Sequence, residues 1–386
     1  METARLPRPH PAAGTLSSTW TLRLPRGRTL SLGARPRIVG ILNLTPDSFS
    51  DGGLWSEPER AVARGLAMLD EGAELLDLGA ESTRPGGGVY GAGARPVAAE
   101  EELARLLPVL ERLRAATDAP ISVDTRKGVV ARRALAAGAD LINDVSALSD
   151  PELAAAAAAA GCPVVLMHSR GELATMQRRI SFRDLVGEVR AELAEAAGRA
   201  AAAGIDPGQL ILDPGIGFGK TAEQNLLLIQ RLADLAALGR PLLLGASRKS
   251  FLAQAAASSG RAGLTRTESV RAPGEGASPS PPEGWEGDRG VAGGDPIDAS
   301  SRPPPPHRSA VSSLEIGPPV GATSVAQAVT ETGSVGAAGQ PSARLPGSLA
   351  ALGWAAAARV ALVRVHDVAE SAQFLSVWEA IAEAQG

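Results

Sequence analysis

The chain has 386 residues, of which 44% are hydrophobic but only 3% aromatic, so its core must consist mainly of Ala, Leu, Val and Ile. A net charge of −4 gives no electrostatic case for binding nucleic acid or an anionic membrane, and no run of about 18 apolar residues that could span a bilayer is present. The N-terminus lacks the apolar segment of a signal peptide, and the single Cys162 cannot form an internal disulfide. We therefore expect a cytoplasmic protein.

Eight short apolar runs recur along the chain. Near-continuous apolar runs are typical of parallel strands that are buried on both faces of a sheet. The predicted strands are Ile38–Leu42, Leu75–Leu78, Ile121–Val123, Leu141–Ile142 (with Val145), Val164–Met167, Leu210–Leu212, Leu242–Leu244 and Val360–Val363.

The segments between these runs have the spacing and composition of amphipathic helices. They are Glu59–Glu71, Glu100–Ala116, Val129–Ala137, Glu152–Ala160, Phe182–Ala203, Ala222–Leu238 and Leu349–Ala358. A Gly directly follows five of them, as is common at helix ends. Eight strands that alternate with helices favour an α/β fold of the (β/α)8 type, a TIM barrel, over an open doubly wound sheet.

One long segment interrupts the alternation. Residues 256–343 are rich in Pro, Gly, Ser, Ala and Thr, and Trp285 is their only aromatic residue. Such a composition cannot bury enough apolar surface to offset the entropy of ordering the chain, so we predict a disordered insertion after the seventh strand. The predicted organisation is an N-terminal extension at 1–30, barrel strands one to seven at 31–255, the insertion at 256–343 and the rest of the barrel at 344–386.

Polar residues follow every predicted strand. The active site of a TIM barrel lies at the C-terminal ends of its strands, so these residues are the candidate site. Turn and cap residues could explain any one cluster, but a cluster at all eight strand ends indicates one catalytic face. The candidates include Asn43, Asp77, Asp124, Asn143, His168, Asp213, Lys249 and His366.

The same residues resemble the motifs of the dihydropteroate synthases, which join a pterin diphosphate to 4-aminobenzoate. Residues 41–53 (ILNLTPDSFSDGG) are similar to the first signature of that family, and residues 77–86 (DLGAESTRPG) are similar to the second. The motifs DPGIGFGK at 213–220, SRKS at 247–250 and RVHD at 364–367 follow in family order. The resemblance runs from about residue 38 to 378 outside the insertion, and it implies a TIM barrel with this transferase activity.

The resemblance implies that Asp124, Asn143 and Asp213 hold the pterin ring, with Met167 at the same pocket. A pterin edge presents several N–H donors and acceptors, which suits carboxylates together with an amide that offers both polarities. Lys249 can donate to the ring while its methylene stem packs against aminobenzoate. For Asp213 the alternative is a helix cap before Pro214.

The diphosphate leaving group calls for cations. The resemblance assigns Asn43 to Mg²⁺, and it assigns Thr83, Arg364 and His366 to the phosphates. One neutral protein ligand suits Mg²⁺, which keeps most of its waters and takes oxygens from a phosphate substrate. Considered alone, Asn43 is better explained as a turn residue before Pro46.

The second substrate has an aromatic ring and a carboxylate. By the same resemblance, Phe49, Pro85 and Phe218 would flank the ring, while Ser250 and Arg84 would bind the carboxylate. The side chains predicted to be catalytic are Lys249, Arg364, His366 and Asp124.

Two alternatives stay open. A pterin-dependent methyltransferase that docks a corrinoid protein shares the barrel and the Asp and Asn that hold the pterin. It has no need of residues 83–85, of residues 247–250 or of the Arg364 and His366 pair. A pterin-binding paralogue without synthase activity is the second, because a Gly-rich piece at 87–93 and the insertion depart from the family pattern. Family members are commonly homodimers, so a homodimer is expected.

Overall fold

The N-terminal part of the fold is a small hairpin. In the computed structural model of the protein, which describes residues 19–33, 35–45, 57–82, 96–172, 175–177, 180–258 and 344–384, the hairpin comes first. It consists of β1 (Trp20–Arg23) and β2 (Thr29–Leu32), which are antiparallel and place Leu22 opposite Leu30.

Parallel strands alternate with helices through the rest of the described chain. The strands are β3 (Arg37–Asn43), β4 (Leu75–Gly79), β5 (Ile121–Asp124), β6 (Leu141–Asp144), β7 (Val164–Met167), β8 (Leu210–Asp213), β9 (Leu243–Leu244) and β10 (Leu362–Val365). The helices are α1 (Glu57–Asp70), α2 (Ala99–Ala116), α3 (Gly128–Ala137), α4 (Pro151–Ala160), α5 (Leu185–Ala202), α6 (Ala222–Gln230), α7 (Leu232–Ala236), α8 (Ser250–Ser258), α9 (Leu345–Ala357) and α10 (Val368–Glu383).

The eight parallel strands form a closed barrel. Their order is β8-β7-β6-β5-β4-β3-β10-β9, and a parallel bridge between Leu212 and Leu242 joins the two ends. The amide of Leu212 also donates to the carbonyl of Pro241 at 2.9 Å. The predicted TIM barrel is therefore confirmed, and the open-sheet alternative is wrong.

The hairpin covers the N-terminal end of this barrel. Its four leucines, Leu22, Leu24, Leu30 and Leu32, are buried in one cluster with inward residues of the strands. Those strand residues are Val39, Leu75, Leu141, Val165, Ile211, Leu243, Ala361 and Leu362. The boundary predicted at 30–31 falls inside β2, because the hairpin belongs to the core of the barrel.

Alternate strand residues point into the barrel, since successive side chains of a strand face opposite ways. Two positions beyond the apolar layer at Leu75, Leu141, Val165, Ile211 and Leu362 come Asp77, Asn143, Met167, Asp213 and Arg364. The intervening residues, such as Leu76, Ile142 and Leu212, pack outward among the helices. The barrel interior is thus apolar next to the hairpin and polar toward the C-terminal ends of the strands.

Several predicted boundaries differ from the structure. β10 begins at Leu362 and not at Val360, because the Val360 amide still donates to Ala355 at the end of α9. The helix predicted over Ala222–Leu238 divides at Arg231, whose ψ of 22° departs from helical geometry. α5 begins only at Leu185, where the Asp184 side chain caps it.

Helices also flank the predicted insertion. α8, for which no helix was predicted, extends to Ser258 and so occupies the first three positions of the range 256–343. α9 begins at Leu345, four residues before the predicted start. The remainder of the predicted insertion, residues 259–343, lies outside the described residues. Within the described part of the chain, none of the helices has the length and apolar character that a membrane span requires.

Candidate active site

Arg364 lies inside the barrel and connects two acids on neighbouring strands. Its Nε donates to Oδ2 of Asp77 at 2.5 Å, and its Nη2 donates to Oδ2 of Asp124 at 3.0 Å. The Asn143 amide donates to the same oxygen of Asp77 at 3.1 Å. β4, β5, β6 and β10 therefore bring two carboxylates, an amide and a guanidinium together at their C-terminal ends.

Two buried oxygens of this cluster, Oδ1 of Asp77 and Oδ1 of Asp124, find no hydrogen-bond partner among the described residues. A buried acceptor without a donor is unfavourable, so the pair suits a ligand that presents N–H groups. Burial raises the pKa of Asp124 to about 7, although the positive charge of Arg364 opposes the shift. The ionised form of Asp124 can accept more hydrogen bonds than the protonated form, but it places a negative charge in a buried position.

Asp213 and Lys249 form a second pair of opposite charges at this end of the barrel. Oδ1 of Asp213 accepts from the amide of Gly215 at 2.7 Å, and burial raises the pKa of this acid. Lys249 donates to the carbonyl of Ile216, and its Nζ lies 4.4 Å from the centre of the Phe218 ring. Burial lowers the pKa of Lys249 to about 8, against the pull of Asp213. The turn after β8 therefore places an aromatic face and a carbonyl beside the ammonium group of Lys249.

The turn itself is held by the buried Lys220. Its Nζ donates to Nδ1 of His168 at 2.9 Å and to the carbonyls of Gly215 at 3.0 Å and Phe218 at 2.9 Å. Burial lowers the pKa of Lys220 to about 7, but the carboxylate of Glu192 can only accept, so Nε2 of His168 donates to it at 3.1 Å and Nδ1 of the neutral ring accepts from Lys220. Burial lowers the pKa of His168 to about 3, consistent with this neutral form.

Gly215 is required at its place in this turn. Its φ is +66°, and a Cβ there would lie 1.8 Å from the carbonyl oxygen of His168. Any other residue would displace the backbone that carries Ile216 and Phe218, which contact Lys249.

His366 lies just beyond β10 and next to β9. Its amide donates to Oγ of Ser247 at 3.1 Å, and its Nδ1 lies 3.2 Å from the same oxygen. Burial lowers the pKa of His366 to about 3, and the nearby charges of Arg364 and Arg248 act in the same direction. The ring is therefore neutral at pH 7 and can donate one hydrogen bond.

A charged network lies behind the ends of β4 and β5. Oε1 of Glu81 accepts from the amide of Val97 at 3.0 Å, and Lys127 bridges Glu81 at 2.9 Å and Glu102 at 2.5 Å. Burial would raise the pKa of Glu81, but hydrogen bonds from Arg126 and Lys127 outweigh it and hold the pKa below its ordinary value. This network connects the described residues on either side of positions 83–95.

The structure brings most of the predicted site residues to one end of the barrel. Asp124, Asn143, Asp213, Lys249, Arg364 and His366 lie there, and Met167 ends β7 in register with Asp213. Asn43 is exposed at the end of β3, and Oγ of Ser250 is buried with no hydrogen-bond partner among the described residues. Phe49, Thr83, Arg84 and Pro85 lie outside the residues that the structure describes.

Three residues that support the site had no specific role predicted from the sequence. Asp77 binds Arg364, Ser247 binds His366, and Lys220 holds the turn under Lys249. For Asp77 a signal was present, because it is a charged residue at an inward position of an otherwise apolar strand.

Comparison with known proteins identifies the family to which the chain belongs. The model of the family of pterin binding enzymes matches residues 39–278, so the chain belongs to that family. It is 47% identical over 239 residues to a dihydropteroate synthase of Synechocystis sp., an alignment that covers 61% of this chain and 80% of the relative. The dihydropteroate synthase of Escherichia coli is 44% identical over 229 residues, with 59% and 78% covered.

Solved structures of dihydropteroate synthases are also similar to this chain. The Xanthomonas albilineans dihydropteroate synthase with 4-aminobenzoic acid superposes with a TM-score of 0.67 at 37% identity, covering 95% of this chain and 99% of that one. The Thermus thermophilus enzyme in complex with 4-aminobenzoate has a TM-score of 0.62 at 36% identity, covering 93% and 99%. Within the pterin binding enzymes, the chain is a member of the dihydropteroate synthases.

Proposed function

We infer that this chain is a transferase that condenses 6-hydroxymethyl-7,8-dihydropterin diphosphate with 4-aminobenzoate, giving 7,8-dihydropteroate and diphosphate in folate biosynthesis. One observation carries the inference from the site. A buried carboxylate oxygen of Asp124 without a donor lies beside Arg364, within the electrostatic reach of Lys249, at the catalytic end of a barrel. That arrangement suits a flat heterocycle rich in N–H groups that carries an anionic substituent.

The pterin ring is assigned to the barrel interior. Asp124 would accept ring N–H groups with its unpartnered Oδ1, and Asn143 is held in position by its bond to Asp77. Asp213 would accept from the opposite edge of the ring, while Lys249 would donate to ring acceptors. Met167 would lie along the ring.

The reaction depends more on stabilisation of the leaving group than on a strong base. The pterin CH₂–O bond breaks, its electron pair leaves with the diphosphate, and the remaining cation is stabilised by resonance in the ring. The amine nitrogen of 4-aminobenzoate then forms the C–N bond and releases a proton. Because that amine is neutral and weakly basic, Arg364 and His366 would contribute mainly electrostatic stabilisation and positioning.

The 4-aminobenzoate site is proposed at the turn after β8. Phe218 and the methylene stem of Lys249, whose Nζ lies 4.4 Å from the centre of the Phe218 ring, would together form one apolar wall against the aminobenzoate ring. The buried Oγ of Ser250 would donate to the carboxylate. Phe49, Arg84 and Pro85 keep their predicted roles there as proposals.

Magnesium is proposed to arrive with the diphosphate. No cluster of three or more His, Cys, Asp or Glu side chains that could hold a metal occurs in the described ranges. Mg²⁺ is instead proposed to bind one neutral protein ligand together with phosphate oxygens and waters. The exposed amide of Asn43 at the end of β3 suits that role. When bound, the ion would neutralise charge that develops on the departing diphosphate.

Diphosphate release from the pterin substrate, measured with and without 4-aminobenzoate, tests this function. Release that requires the amine supports the synthase, and Asp124→Asn or Lys249→Met should abolish it. Asp118→Asn, which changes an exposed acid, is the matched control. A requirement for a corrinoid protein would indicate the methyltransferase, and tight pterin binding without turnover would indicate an inactive paralogue.

We also propose that the enzyme acts in the cytoplasm as a homodimer. Cell fractionation tests the location. Sedimentation equilibrium tests the assembly, and a single species of 39.3 kDa would contradict the dimer.

A further inference from the structure

Arg248 has an unfavourable backbone conformation at the edge of the site. Its φ of 57° lies in the left-handed region, which is sterically costly for a long side chain. Such a conformation persists only where surrounding contacts over-determine it, and it commonly marks a functional position. Arg248 stands directly before Lys249 and directly after Ser247.

Three contacts hold Arg248. Its amide donates to Oγ of Ser348 at 3.0 Å, and its carbonyl accepts from Nη1 of Arg344 at 2.9 Å. Its guanidinium forms two hydrogen bonds to Asp367, of which the bond from Nε to Oδ2 measures 3.0 Å. The backbone is therefore fixed from α9 and its N-terminal cap, while the side chain is fixed at the N-terminus of α10.

These contacts place two predicted catalytic residues relative to each other. Asp367 directly follows His366, whose amide and ring both contact Ser247 on the other side of Arg248. Lys249 follows Arg248 and extends to Ile216 and Phe218. A change at Arg248 would therefore move Lys249 and His366 together.

Ser348 and Asp367, which hold Arg248 from α9 and α10, are themselves held by bonds outside the substrate site. Oγ of Ser348 donates to the carbonyl of Arg344 at 3.0 Å, which ties the first turn of α9 together. The carbonyl of Asp367 accepts from Oγ of Ser371 at 2.6 Å, which does the same for α10. The ion pair itself is only partly exposed, at 36% for the Arg248 side chain and 12% for that of Asp367.

We propose that Arg248 is a positioning residue, held by Arg344, Ser348 and Asp367, that sets the distance between Lys249 and His366. The inference rests on the proposed function, because Lys249 then binds the pterin and aminobenzoate while His366 binds the leaving diphosphate. Arg248 controls how far the reacting carbon lies from both. Arg344 and Ser348, which follow the range 256–343 in sequence, thereby become part of the machinery that supports the site.

The first test uses two serines that make the same local bond. Oγ of Ser348 and Oγ of Ser376 each donate to the carbonyl four residues earlier, at 3.0 Å in both cases, but only Ser348 also accepts from Arg248. Ser348→Ala should lower kcat/KM roughly tenfold, and Ser376→Ala should leave it unchanged. Equal Tm values for the two variants would exclude a general loss of stability. Equal kcat/KM values would contradict the proposal.

The second test is a double-mutant cycle on the ion pair. Arg248→Met and Asp367→Asn should each lower kcat by roughly 100-fold, and the double variant should be no worse than either single one, because both remove the same constraint. Arg248→Lys, which keeps one charge without the bidentate geometry, should recover part of the loss. Arg231→Met, which breaks the exposed pair with Asp234, is the control.

The KM values separate positioning from folding. Misplaced Lys249 and His366 should lower kcat and raise the KM for the pterin diphosphate in protein that circular dichroism shows to be folded at the assay temperature. Wild-type kcat and KM values in Arg248→Met, or losses that simply add in the double variant, would overturn the proposal. If Arg248→Met does not fold, the comparison of the two serine variants decides. An inactive wild-type protein would instead refute the proposed function.

Discussion

Nε of Arg364 and Oδ2 of Asp77 lie 2.5 Å apart inside the barrel, although the two residues are 287 positions apart in sequence. The Asp77 side chain is 1% exposed and that of Arg364 is 20% exposed, so little solvent screens the pair. The oxygen of Asp77 that accepts from Arg364 also accepts from Asn143. The pair thus fixes the amide and the guanidinium on which the proposed pterin site depends.

Removing one partner of this pair should destabilise the protein more than removing both. Arg364→Met leaves Asp77 and Asp124 without their cation, and we expect the free energy of unfolding to fall by about 3–5 kcal/mol. Adding Asp77→Asn removes one uncompensated charge and should restore part of that loss but no activity. Urea denaturation and diphosphate release measure the two effects. A double variant whose losses are the sum of the single losses would contradict the coupling.

The pH dependence of turnover should be bell-shaped. Asp124 must be ionised to accept from the pterin, and burial raises its pKa to about 7. Lys249 must be charged to donate, and burial lowers its pKa to about 8. The value of kcat/KM, which follows groups of the free enzyme, should rise toward about pH 7 and fall above about pH 8. Lys249→Arg should remove the fall in whatever activity it retains, and a fall that persists unchanged would exclude Lys249 as its origin.

Asp124 should make the unliganded protein less stable as the pH rises. Its pKa in the folded state lies above the ordinary value near 4, so the folded state binds the proton more tightly than the unfolded state does. The stabilisation is complete below about pH 4 and is lost as the pH rises through about 7. Asp124→Asn should therefore raise the free energy of unfolding at pH 8 by on the order of 2–4 kcal/mol, while it weakens pterin binding. A variant that is less stable than wild type at pH 8 would contradict this assignment.

Asn43 should influence the magnesium requirement and not the binding of the free pterin ring. With Asn43→Ala, we expect the half-saturating Mg²⁺ concentration for turnover to rise by at least roughly tenfold, the lower end of the loss seen when even a residue behind a metal ligand is changed. Calorimetry with the pterin diphosphate, with and without Mg²⁺, gives an independent measure. A 6-hydroxymethyl pterin without diphosphate should bind both proteins equally. Unequal binding would indicate that Asn43 supports the ring pocket instead.

Most of the barrel could be predicted from the sequence, because strands buried on both faces are apolar at nearly every position. The start of β10, which was predicted two residues too early, shows the limit of that signal. Val360 and Ala361 are as apolar as the strand, but the Val360 amide completes the end of α9. Hydrophobicity alone does not distinguish a helix end that packs on the core from the first residues of a strand.

The sequence was enough to predict which polar side chains lie at the C-terminal end of the barrel, but it did not predict how they pair. Inward positions follow from the alternation of each strand, which singles out Asp77, Asn143 and Arg364. Which acid receives Arg364 depends on the register of strands that are distant in sequence. The left-handed backbone of Arg248 could not be predicted from the local sequence. It lies in a turn closed by a bond from the Lys249 amide to the Ala246 carbonyl, and contacts from Ser348 and Asp367 hold it there.

At the opposite end of the barrel, Asp140 should be a major contributor to stability. Its side chain is fully buried, and Arg26, Arg28 and Arg114 all pair with it, at 2.6 Å for Arg26 and 2.9 Å for Arg114. These bonds connect the hairpin to the barrel wall. Asp140→Asn leaves three guanidinium groups around a neutral side chain. Because solvent reaches Arg26 and Arg28 in part, we expect a loss of about 1.5–3 kcal/mol in the free energy of unfolding. Since the site lies at the other end, kcat and KM of the folded enzyme should not change.

The exposed pair between Arg23 of the same hairpin and Asp206, which lies between α5 and β8, offers the matched control. Its side chains are 66% and 46% exposed, so solvent screens the charges, and Asp206→Asn should cost less than about 1 kcal/mol. Equal losses in the free energy of unfolding for Asp140→Asn and Asp206→Asn would show that burial of Asp140 does not increase its contribution to stability. A large loss at Asp140 with unchanged kinetics would show that the hairpin stabilises the barrel without acting on the substrates. The Asp140 carboxylate is fully buried, whereas Asp206 is 46% exposed, so water can replace a lost partner only at Asp206.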